Sequence, residues 1–193
     1  LVTQMTSEYK TKIVEKIESL VADGGTNIFK GLEYGINQIK DNYPDEKRVC
    51  SMILLTDGKD IYEEKNVIPK FRDLINQNKE KLFTLHTIGY GDYHDEVLMS
   101  DLSKLRDGGY FYIENLAAVK LAFLEIYGSL STVLKPSLTL IIKSEPNFEI
   151  KKIYGMEDMY NAKLDKNEFS TDLLHFVYGK RYSFVALVDI PES

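Results

Sequence analysis

Several residue types are rare in this sequence, which has one cysteine, no tryptophan and five prolines among its 193 residues. Because Cys50 stands alone, an internal disulfide framework is excluded, and a single cysteine favours a reducing, intracellular compartment. Cys50 lies beside an apolar run, so we expect a buried and unreactive thiol. No apolar stretch approaches the ~20 residues that a membrane-spanning helix requires, so no segment is expected to cross a bilayer.

Positive charge is also scarce, since 24 Lys and Arg stand against 30 Asp and Glu, for a net charge of −6. This balance argues against a general affinity for nucleic acid or for an anionic membrane surface. Most of the acidic excess lies in residues 1–134, which hold 16 basic and 21 acidic side chains. That acidity suits either a site that attracts cations or an ordinary solvated surface.

The signatures of common enzymes are missing as well. No phosphate-binding loop and no zinc-protease motif occurs, and residues 89–91 (GYG) lack the third glycine of a dinucleotide fingerprint. Asp57 and Asp60 are a candidate carboxylate pair, but no nucleophile or acid–base partner accompanies them. We therefore expect a protein that is not an enzyme.

For the histidines we favour structural roles over chemical ones. His86 falls within a predicted strand, where a hydrogen-bonded structural role outweighs a catalytic one. His94 precedes Asp95 and Glu96, and this trio suits either a metal ion or, as we favour, the polar entrance of a helix. His175 has no companion in the sequence pattern.

What the sequence does contain is a short, unbroken apolar run, residues 52–56 (MILLT), followed by Asp57 and Gly58. Such a run predicts a strand buried on both faces, as in the interior of a parallel sheet. Gly58 lets the chain turn, which leaves Asp57 at the carboxyl end of the strand, where open α/β sheets bind their ligands. The alternative is that Asp57 only caps the following helix.

Predicted helices and strands alternate through residues 1–134, which indicates a Rossmann-like, doubly wound parallel sheet with helices on both faces. Residues 52–56 are predicted to form one of its inner strands. The hydrophobic period changes to two at Pro136, so residues 135–193 are predicted to be an antiparallel β subdomain that packs as a separate layer. Its last strand is expected over residues 182–190. The fold class is therefore α/β, followed by a small antiparallel β unit.

Three details of the helices are also predicted. The first helix, capped by Thr6 or Ser7, should bury one apolar face and end at Gly24. Val97 should point inward from the helix after the second strand. The last helix should cover residues 116–134, ending before Pro136.

Three segments, residues 22–28 (ADGGTNI), 53–58 (ILLTDG) and 86–91 (HTIGYG), resemble the von Willebrand factor type A domain. The likeness is greatest to the domains of inter-α-trypsin-inhibitor heavy chains and of plant RING-finger proteins. Residues 108–115 (GGYFYIEN) are similar in order, and the resemblance covers most of residues 3–193. It implies the α/β fold of that family.

The resemblance also implies a metal-ion-dependent adhesion site, in which three loops at the top of the sheet hold one divalent cation. Thr26 matches the threonine of that site, and Asp57 matches its aspartate. Hydroxyl and carboxylate oxygens suit a small hard cation such as Mg²⁺, which keeps some of its waters and leaves a position for the carboxylate of a protein partner.

The third motif of that site, Asp-x-Ser-x-Ser, is missing from the sequence. The nearest segment, residues 101–105 (DLSKL), ends in leucine and lies within a helical pattern. Because the chain opens at Leu1 without the strand that carries the motif, we expect the domain to be incomplete at its amino-terminal side. Upstream sequence or another chain would supply the missing half-sheet. With Thr26 and Asp57 alone, this chain should bind Mg²⁺ weakly or not at all, whereas the intact protein could complete the site.

Two classes of function remain open. The first is a protein-binding or adhesion-type module, with or without a metal ion at the top of the sheet. The second is a non-catalytic part of a ubiquitin ligase or a structural subunit of a larger assembly. The chain has no RING-type cluster of cysteine and histidine, which favours binding. If the metal interpretation fails, Thr26 is a helix-entry residue and Asp57 a cap.

Overall fold

A computed structural model describes residues 5–21, 24–43, 48–62, 66–155 and 161–190. The opening residues 1–3, the first two residues of the segment 22–28 and the loop at 44–45 lie outside these ranges. The elements in chain order are α1 (Ser7–Glu18), α2 (Ile28–Asn42), β1 (Ser51–Thr56), α3 (Val67–Gln77), β2 (Thr84–Tyr90), α4 (Glu96–Lys104), β3 (Tyr110–Ile113), α5 (Leu116–Ser131), β4 (Val133–Lys143), β5 (Glu149–Tyr154), β6 (Lys163–Asp165), β7 (Glu168–Val177) and β8 (Val185–Asp189).

The first three strands form a parallel sheet in the order β1-β2-β3. Helices α2, α3 and α4 cover one face, where their apolar side chains pack with Leu85. Helix α5 covers the other face, where Ala122 and Ile126 pack with Ile88 and Ile113. The predicted α/β architecture with helices on both faces of a parallel sheet is therefore confirmed.

The strand predicted to be internal, β1, lies at an edge of this sheet. Its Met52 and Leu54 side chains pack against α2, but Ile53 and Leu55 on the opposite face are 38% and 55% exposed. The reason is the position of α5, which packs over β2 and β3 and does not reach β1. In the described part of the chain, the inner strand is β2, which is buried at six of its seven positions.

Two of the helix predictions need correction. Helix α1 begins after the predicted cap Thr6, but it ends at Glu18 and buries none of its residues. In α4, Val97 is 72% exposed and Met99 occupies the inward position instead. In the described residues, no helix is both long enough and apolar enough to cross a membrane.

An antiparallel region follows the parallel sheet. Helix α5 ends at Ser131, three residues before the predicted end at residue 134, and β4 begins at Val133. The change from helix to strand therefore comes before Pro136. Strands β4, β7 and β6 form one sheet, while β5 pairs with β8 in another. The last strand is shorter than the predicted 182–190 and exposed along its length. A domain boundary near residue 134 stays a prediction.

Candidate functional sites at the two ends of the parallel sheet

At the carboxyl end of the sheet, the loop before α2 lies against the turn that follows β1. A Cβ atom added to Gly58 would stand 2.9 Å from Thr26 Oγ1, so the Thr26 hydroxyl adjoins the turn that carries Asp57. The Ile61 amide donates to the Thr26 carbonyl at 3.1 Å, which joins the two segments through their backbones. The two residues singled out by sequence therefore belong to adjoining loops.

The Asp60 carboxylate holds this arrangement in place. It is 3% exposed, and it accepts hydrogen bonds from the Ile28 amide at 2.6 Å and the Tyr62 amide at 2.9 Å. Asn27 is the N-cap of α2 and accepts from the Lys30 amide at 2.9 Å. The first amides of a helix lack partners within it, so Asp60 and Asn27 satisfy two of them.

The structural alternative for Asp57 needs correction. Asp57 does not cap the helix that follows β1, because the N-cap residue of α3 is Asn66, whereas Thr26 does stand at the entry of α2, directly before its N-cap residue Asn27. Sequence analysis missed the role of Asp60 because its partner lies 32 residues away along the chain. No local pattern signals a cap that is supplied from another loop.

The turn itself is fixed by Thr56, a buried residue at the end of β1. Its hydroxyl donates to the Gly58 carbonyl at 2.9 Å and accepts from the Gly58 amide at 3.2 Å. This pair of bonds closes a tight turn around Asp57, which is itself exposed. The carboxylate of Asp57 is therefore presented to solvent at the top of the sheet.

Thr26 and Asp57 have the chemistry of part of a metal site. A hydroxyl and a carboxylate are the hard oxygen donors that Mg²⁺ prefers. Among the described residues, no group of three or more His, Cys, Asp or Glu side chains is placed to hold a metal ion. Two oxygens make an incomplete shell, and metal binding by Thr26 and Asp57 stays a prediction.

His94, beside this end of the sheet, is engaged in structural hydrogen bonds. One ring nitrogen, Nδ1, lies 2.7 Å from the Gly91 carbonyl, and Nε2 lies 2.6 Å from the Tyr110 hydroxyl. Asp95 caps α4 by accepting from the Leu98 amide at 2.9 Å. The structure thus supports the helix-entry interpretation of this trio, since both ring nitrogens of His94 already have partners.

The amino end of the same sheet faces the antiparallel region. The Leu174 amide donates to Asp107 Oδ2 at 2.8 Å, and His175 Nδ1 lies 3.2 Å from Thr84 Oγ1. A cavity of about 460 Å³ lies at this junction, lined by residues of β2, α5, β7 and the turn before β3. His86 also lines it, and its Nδ1 accepts from the Gly109 amide at 3.1 Å, as a structural histidine should.

Two histidines therefore meet at this end, and His175 does have companions, contrary to the sequence analysis. Burial lowers the pKa of His86 to about 4, with a further contribution from the positive charge of Lys180. Burial likewise lowers the pKa of His175 to about 4. Both rings are neutral at physiological pH. No sequence signal reveals the surroundings of His175, because 91 residues separate it from its partner Thr84.

Cys50 stands at the same end, directly before β1. It is half-buried, and its carbonyl accepts from the Thr84 amide at 3.1 Å. Burial raises the pKa of the thiol, although the nearby charge of Arg106 opposes the effect. The expected unreactive thiol is consistent with this environment, because a raised pKa leaves little thiolate at neutral pH.

Comparisons with known proteins agree with this fold. A family model described as the von Willebrand factor type A domain matches residues 2–124. An uncharacterized protein of Synechocystis, sll0103, is 29% identical over 134 residues, which cover 69% of this chain and 31% of that protein. The chain thus spans about a third of the length of this curated relative.

Solved structures extend the comparison to both regions. The von Willebrand factor type A structure from Catenulispora acidiphila matches with a TM-score of 0.77 and 18% identity, over 97% of this chain and 44% of that one. This similarity shows the fold of the α/β and antiparallel regions together. A weaker match, with a TM-score of 0.45 and 19% identity, is to proximal thread matrix protein 1 of the mussel byssus, whose MIDAS motif is occupied by zinc. It covers 61% of this chain and 29% of that one.

Proposed function

The chain belongs to the von Willebrand factor type A domain family, and on that premise we propose that it is a non-enzymatic protein-binding module. Its contact surface is the carboxyl end of the parallel sheet. The observation that supports this proposal is the approach of the Thr26 hydroxyl to the turn at Gly58, which leaves Asp57 exposed beside it. Ligands of open α/β sheets bind at this end of the strands.

A divalent cation such as Mg²⁺ would be held there by Thr26 and Asp57, together with water and with oxygen ligands from upstream sequence or another chain. When bound, such a cation supplies a coordination position for an acidic side chain of the partner. The protein's own part is to present two hard oxygens on adjoining loops. Asp60 keeps these loops together through the Ile28 and Tyr62 amides.

Asp60 is therefore a poor comparison for Asp57 in a binding experiment. Its removal would disturb the start of α2 and, through that helix, the loop of Thr26. A better control is Asp73, an exposed carboxylate on α3 that takes no part in these contacts. Asp57→Ala and Asp73→Ala each remove one negative charge. The difference between their Mg²⁺ affinities therefore measures what Asp57 contributes to the site.

Calorimetric titration with Mg²⁺ tests the proposal. This chain should show weak or no binding, because Mg²⁺ gains little when two protein oxygens replace so few of its waters. The full-length protein should bind, and Asp57→Ala should weaken that binding at least tenfold while Asp73→Ala leaves it unchanged. Tight Mg²⁺ binding by this chain would contradict the prediction that its metal site is incomplete.

If the full-length protein binds no Mg²⁺, the metal-assisted part of the proposal is lost and a metal-free contact surface remains. The other candidates, a non-catalytic part of a ubiquitin ligase and a structural subunit of a larger assembly, would then be tested by the same Asp57→Ala variant. In those cases assembly should be unaffected by the loss of Asp57. A binding module of the proposed kind should lose its partner.

A further inference from the structure

The carboxyl end of the parallel sheet has a second part, two strands away from the turn of Asp57. Thr56 pairs with Gly89 in the strand register, and Gly89 pairs with Tyr112, so these three positions form one row across the sheet. Because neighbouring strands lie about 4.8 Å apart, Tyr112 stands roughly 10 Å from the strand that carries Asp57. The surroundings of Tyr112 are therefore separate from the Asp57 turn but belong to the same end of the sheet.

The ring of Tyr112 is supported from the interior by His94. His94 is buried, and its ring fills the space above Gly89, where a Cβ would clash with Nε2. Nδ1 must donate to the Gly91 carbonyl, so in the neutral ring Nε2 accepts from the Tyr110 hydroxyl. The ring centroids of His94 and Tyr112 are 5.8 Å apart, with 30° between the planes. Tyr112, which is 40% exposed, thus presents an ordered ring to solvent.

The hydroxyl of Tyr112 orients a carboxylate at the sheet end. It donates a hydrogen bond to Asp92 Oδ1. The loop of Asp92 is also tied to β3, because the Gly91 amide donates to the Ile113 carbonyl at 2.9 Å. Within the described part of the chain, Asp92 Oδ2 has no hydrogen-bond or ion-pair partner. Asp92 is therefore an exposed carboxylate with one oxygen held in place and the other available to a donor.

Negative charge at this place is not compensated by nearby cations. The hydrogen bond to Asp92 raises the pKa of Tyr112 to about 12, with smaller contributions from burial and from the charges of Asp92, Glu114 and Glu96. Residues 89–103 and 107–119, which include the carboxyl ends of β2 and β3, contain no Lys or Arg. Among the described residues, none of the three carboxylates forms an ion pair. Their charge thus favours a cationic partner.

Exposed aromatic and apolar side chains lie among these carboxylates. Tyr93 is 81% exposed and Val97 is 72% exposed, on the loop after β2 and in the first turn of α4. Tyrosine is enriched at protein interfaces, where its ring supplies a large contact area. We name this surface the Tyr112 patch, and it consists of six exposed residues: Asp92, Tyr93, Glu96, Val97, Tyr112 and Glu114.

The combination of ring and carboxylate selects one kind of cation. A metal ion does not suit the patch, because no described group of three or more His, Cys, Asp or Glu side chains is placed to hold one. A guanidinium group is planar and weakly hydrated, so it can lie against an aromatic ring while its N–H groups donate to a carboxylate. A lysine ammonium is more strongly hydrated and makes poorer use of a ring. The patch therefore fits arginine best.

We propose that the Tyr112 patch binds an arginine side chain of the protein partner, with the guanidinium against the Tyr112 ring and one N–H donated to Asp92 Oδ2. This inference rests on the proposed function, since it assigns a partner chemistry to the same contact surface. Glu96 and Glu114 attract the cation, and Tyr93 and Val97 contact the residues beside the arginine. No metal ion takes part.

A short peptide, acetyl-Ala-Arg-Ala-amide, is the probe that tests the proposal. Its counterpart with citrulline in place of arginine has the same shape without the charge. In ¹H–¹⁵N correlation spectra of the chain, the arginine peptide should shift the amide signals of Asp92, Tyr93 and Tyr112 in a saturable manner and leave that of Leu174 unchanged. The citrulline peptide should bind at least fivefold more weakly, because it lacks charge-assisted hydrogen bonds. Equal binding of the two peptides, or no saturable shift with arginine, would overturn the proposal.

Variants locate the binding within the patch. Asp92→Asn removes the charge but keeps an oxygen for the Tyr112 hydroxyl, so the fold should persist while affinity for the arginine peptide falls at least fivefold. Asp73→Asn removes a charge from an exposed position on α3 and should leave that affinity unchanged. Tyr112→Leu removes the ring and should also weaken binding, with the His94 ring signals reporting whether the fold persists. Unchanged affinity in Asp92→Asn contradicts the assignment.

Titration with Mg²⁺ separates this proposal from the metal-assisted one. Asp92→Asn should leave Mg²⁺ binding by the full-length protein unchanged. Asp57→Ala should leave the affinity for the arginine peptide nearly unchanged, because salt screens exposed charges about 10 Å apart. Peptide binding by a protein that binds no Mg²⁺ would support the arginine assignment and overturn only the metal-assisted part. Mg²⁺ binding without peptide binding would overturn the arginine assignment alone.

Discussion

The two ends of the parallel sheet carry similar residue types in opposite environments. At the carboxyl end, Asp57 follows β1 and is exposed to solvent. At the amino end, Asp107 precedes β3, is half-buried and accepts a hydrogen bond from the Leu174 amide. Burial raises the pKa of Asp107. The same side chain is thus available to a cation in one place and part of the framework in the other.

The difference comes from what covers each end. The antiparallel region, through β7, closes the amino end, and the rings of His86 and His175 become neutral there. No described element closes the carboxyl end in the same way. Covering an end therefore changes the state of its titratable side chains, since Asp57 stays exposed at the open end while burial keeps His86 and His175 uncharged at the covered end.

Glycine substitutions should show the largest contrast between the two ends. A Cβ at Gly108 would stand 1.8 Å from the Leu85 carbonyl oxygen, whereas one at Gly58 would meet only the movable side chain of Thr26. We expect Gly108→Ala to lower the free energy of unfolding by about 4 kcal/mol, above the usual overpacking range because the clash is with backbone. Gly58→Ala should cost about 1 kcal/mol. Urea unfolding measures both.

A matched control for these substitutions is Gly128, which lies in α5 with open space around the position of a Cβ. Because alanine favours a helix over glycine, Gly128→Ala should raise the free energy of unfolding by about 0.5–1 kcal/mol. Equal losses at Gly108 and Gly58 would show that the two ends are packed alike.

Acid should destabilise the covered end through its histidines. A histidine whose pKa falls from 6.5 to about 4 on folding contributes stability above pH 6.5, which is lost as the pH falls toward 4. The raised pKa of Asp107 acts in the opposite direction and offsets part of the loss. We expect a net decrease of about 2–3 kcal/mol in the free energy of unfolding between pH 7 and pH 4.5.

The source of this pH dependence can be checked in a variant. In His175→Asn the decrease between the two pH values should shrink by more than half, because one of the two rings is gone while the opposing contribution of Asp107 remains. An unchanged decrease would place its origin in other groups that titrate over this range, such as side-chain carboxylates.

At the open end, two carboxylates should differ in their effect on stability. Asp60→Ala removes the acceptor of the Ile28 and Tyr62 amides and should cost about 1–2 kcal/mol, as the loss of a helix cap does. Asp57→Ala should change the free energy of unfolding by less than about 0.5 kcal/mol, as at other exposed positions. Thermal unfolding without added metal compares the two, and a larger loss for Asp57 would contradict their assigned roles.

The smallest effect is expected on the uncovered face of β1. Leu55 is 55% exposed, so Leu55→Thr should change the free energy of unfolding by less than about 0.5 kcal/mol. Its neighbour on the covered face, Leu54, packs in the core, and Leu54→Thr should cost several times more. Similar losses for the two would mean that the outer face of β1 is buried in solution.

The fold could be predicted from the sequence where a pattern is local. The apolar run at 52–56 predicted the strand β1, and the helical periods predicted α2, α3 and α4. Burial was harder, because it depends on which element lies opposite: α5 covers β2 and β3 but leaves Ile53 and Leu55 exposed. A strand pattern cannot tell an inner strand from an edge strand that is covered on one face.

The sites show the same limit. Resemblance to a family pointed to Thr26 and Asp57, which the structure places on adjoining loops. Asp60 was missed as a cap, and His175 was thought to lack a companion, because their partners lie 32 and 91 residues away along the chain. Contacts of that separation depend on the topology, which no short motif records.

Cys50 gives the molecule a built-in chemical reporter. It is the only cysteine in the 193 residues, it is half-buried, and its backbone carbonyl belongs to the seam between β1 and β2. Because burial shields part of the thiol, opening of this seam should raise the rate at which a thiol reagent labels Cys50, so that rate reports local opening. The motion of the covered end can therefore be timed in the natural sequence, with no label introduced.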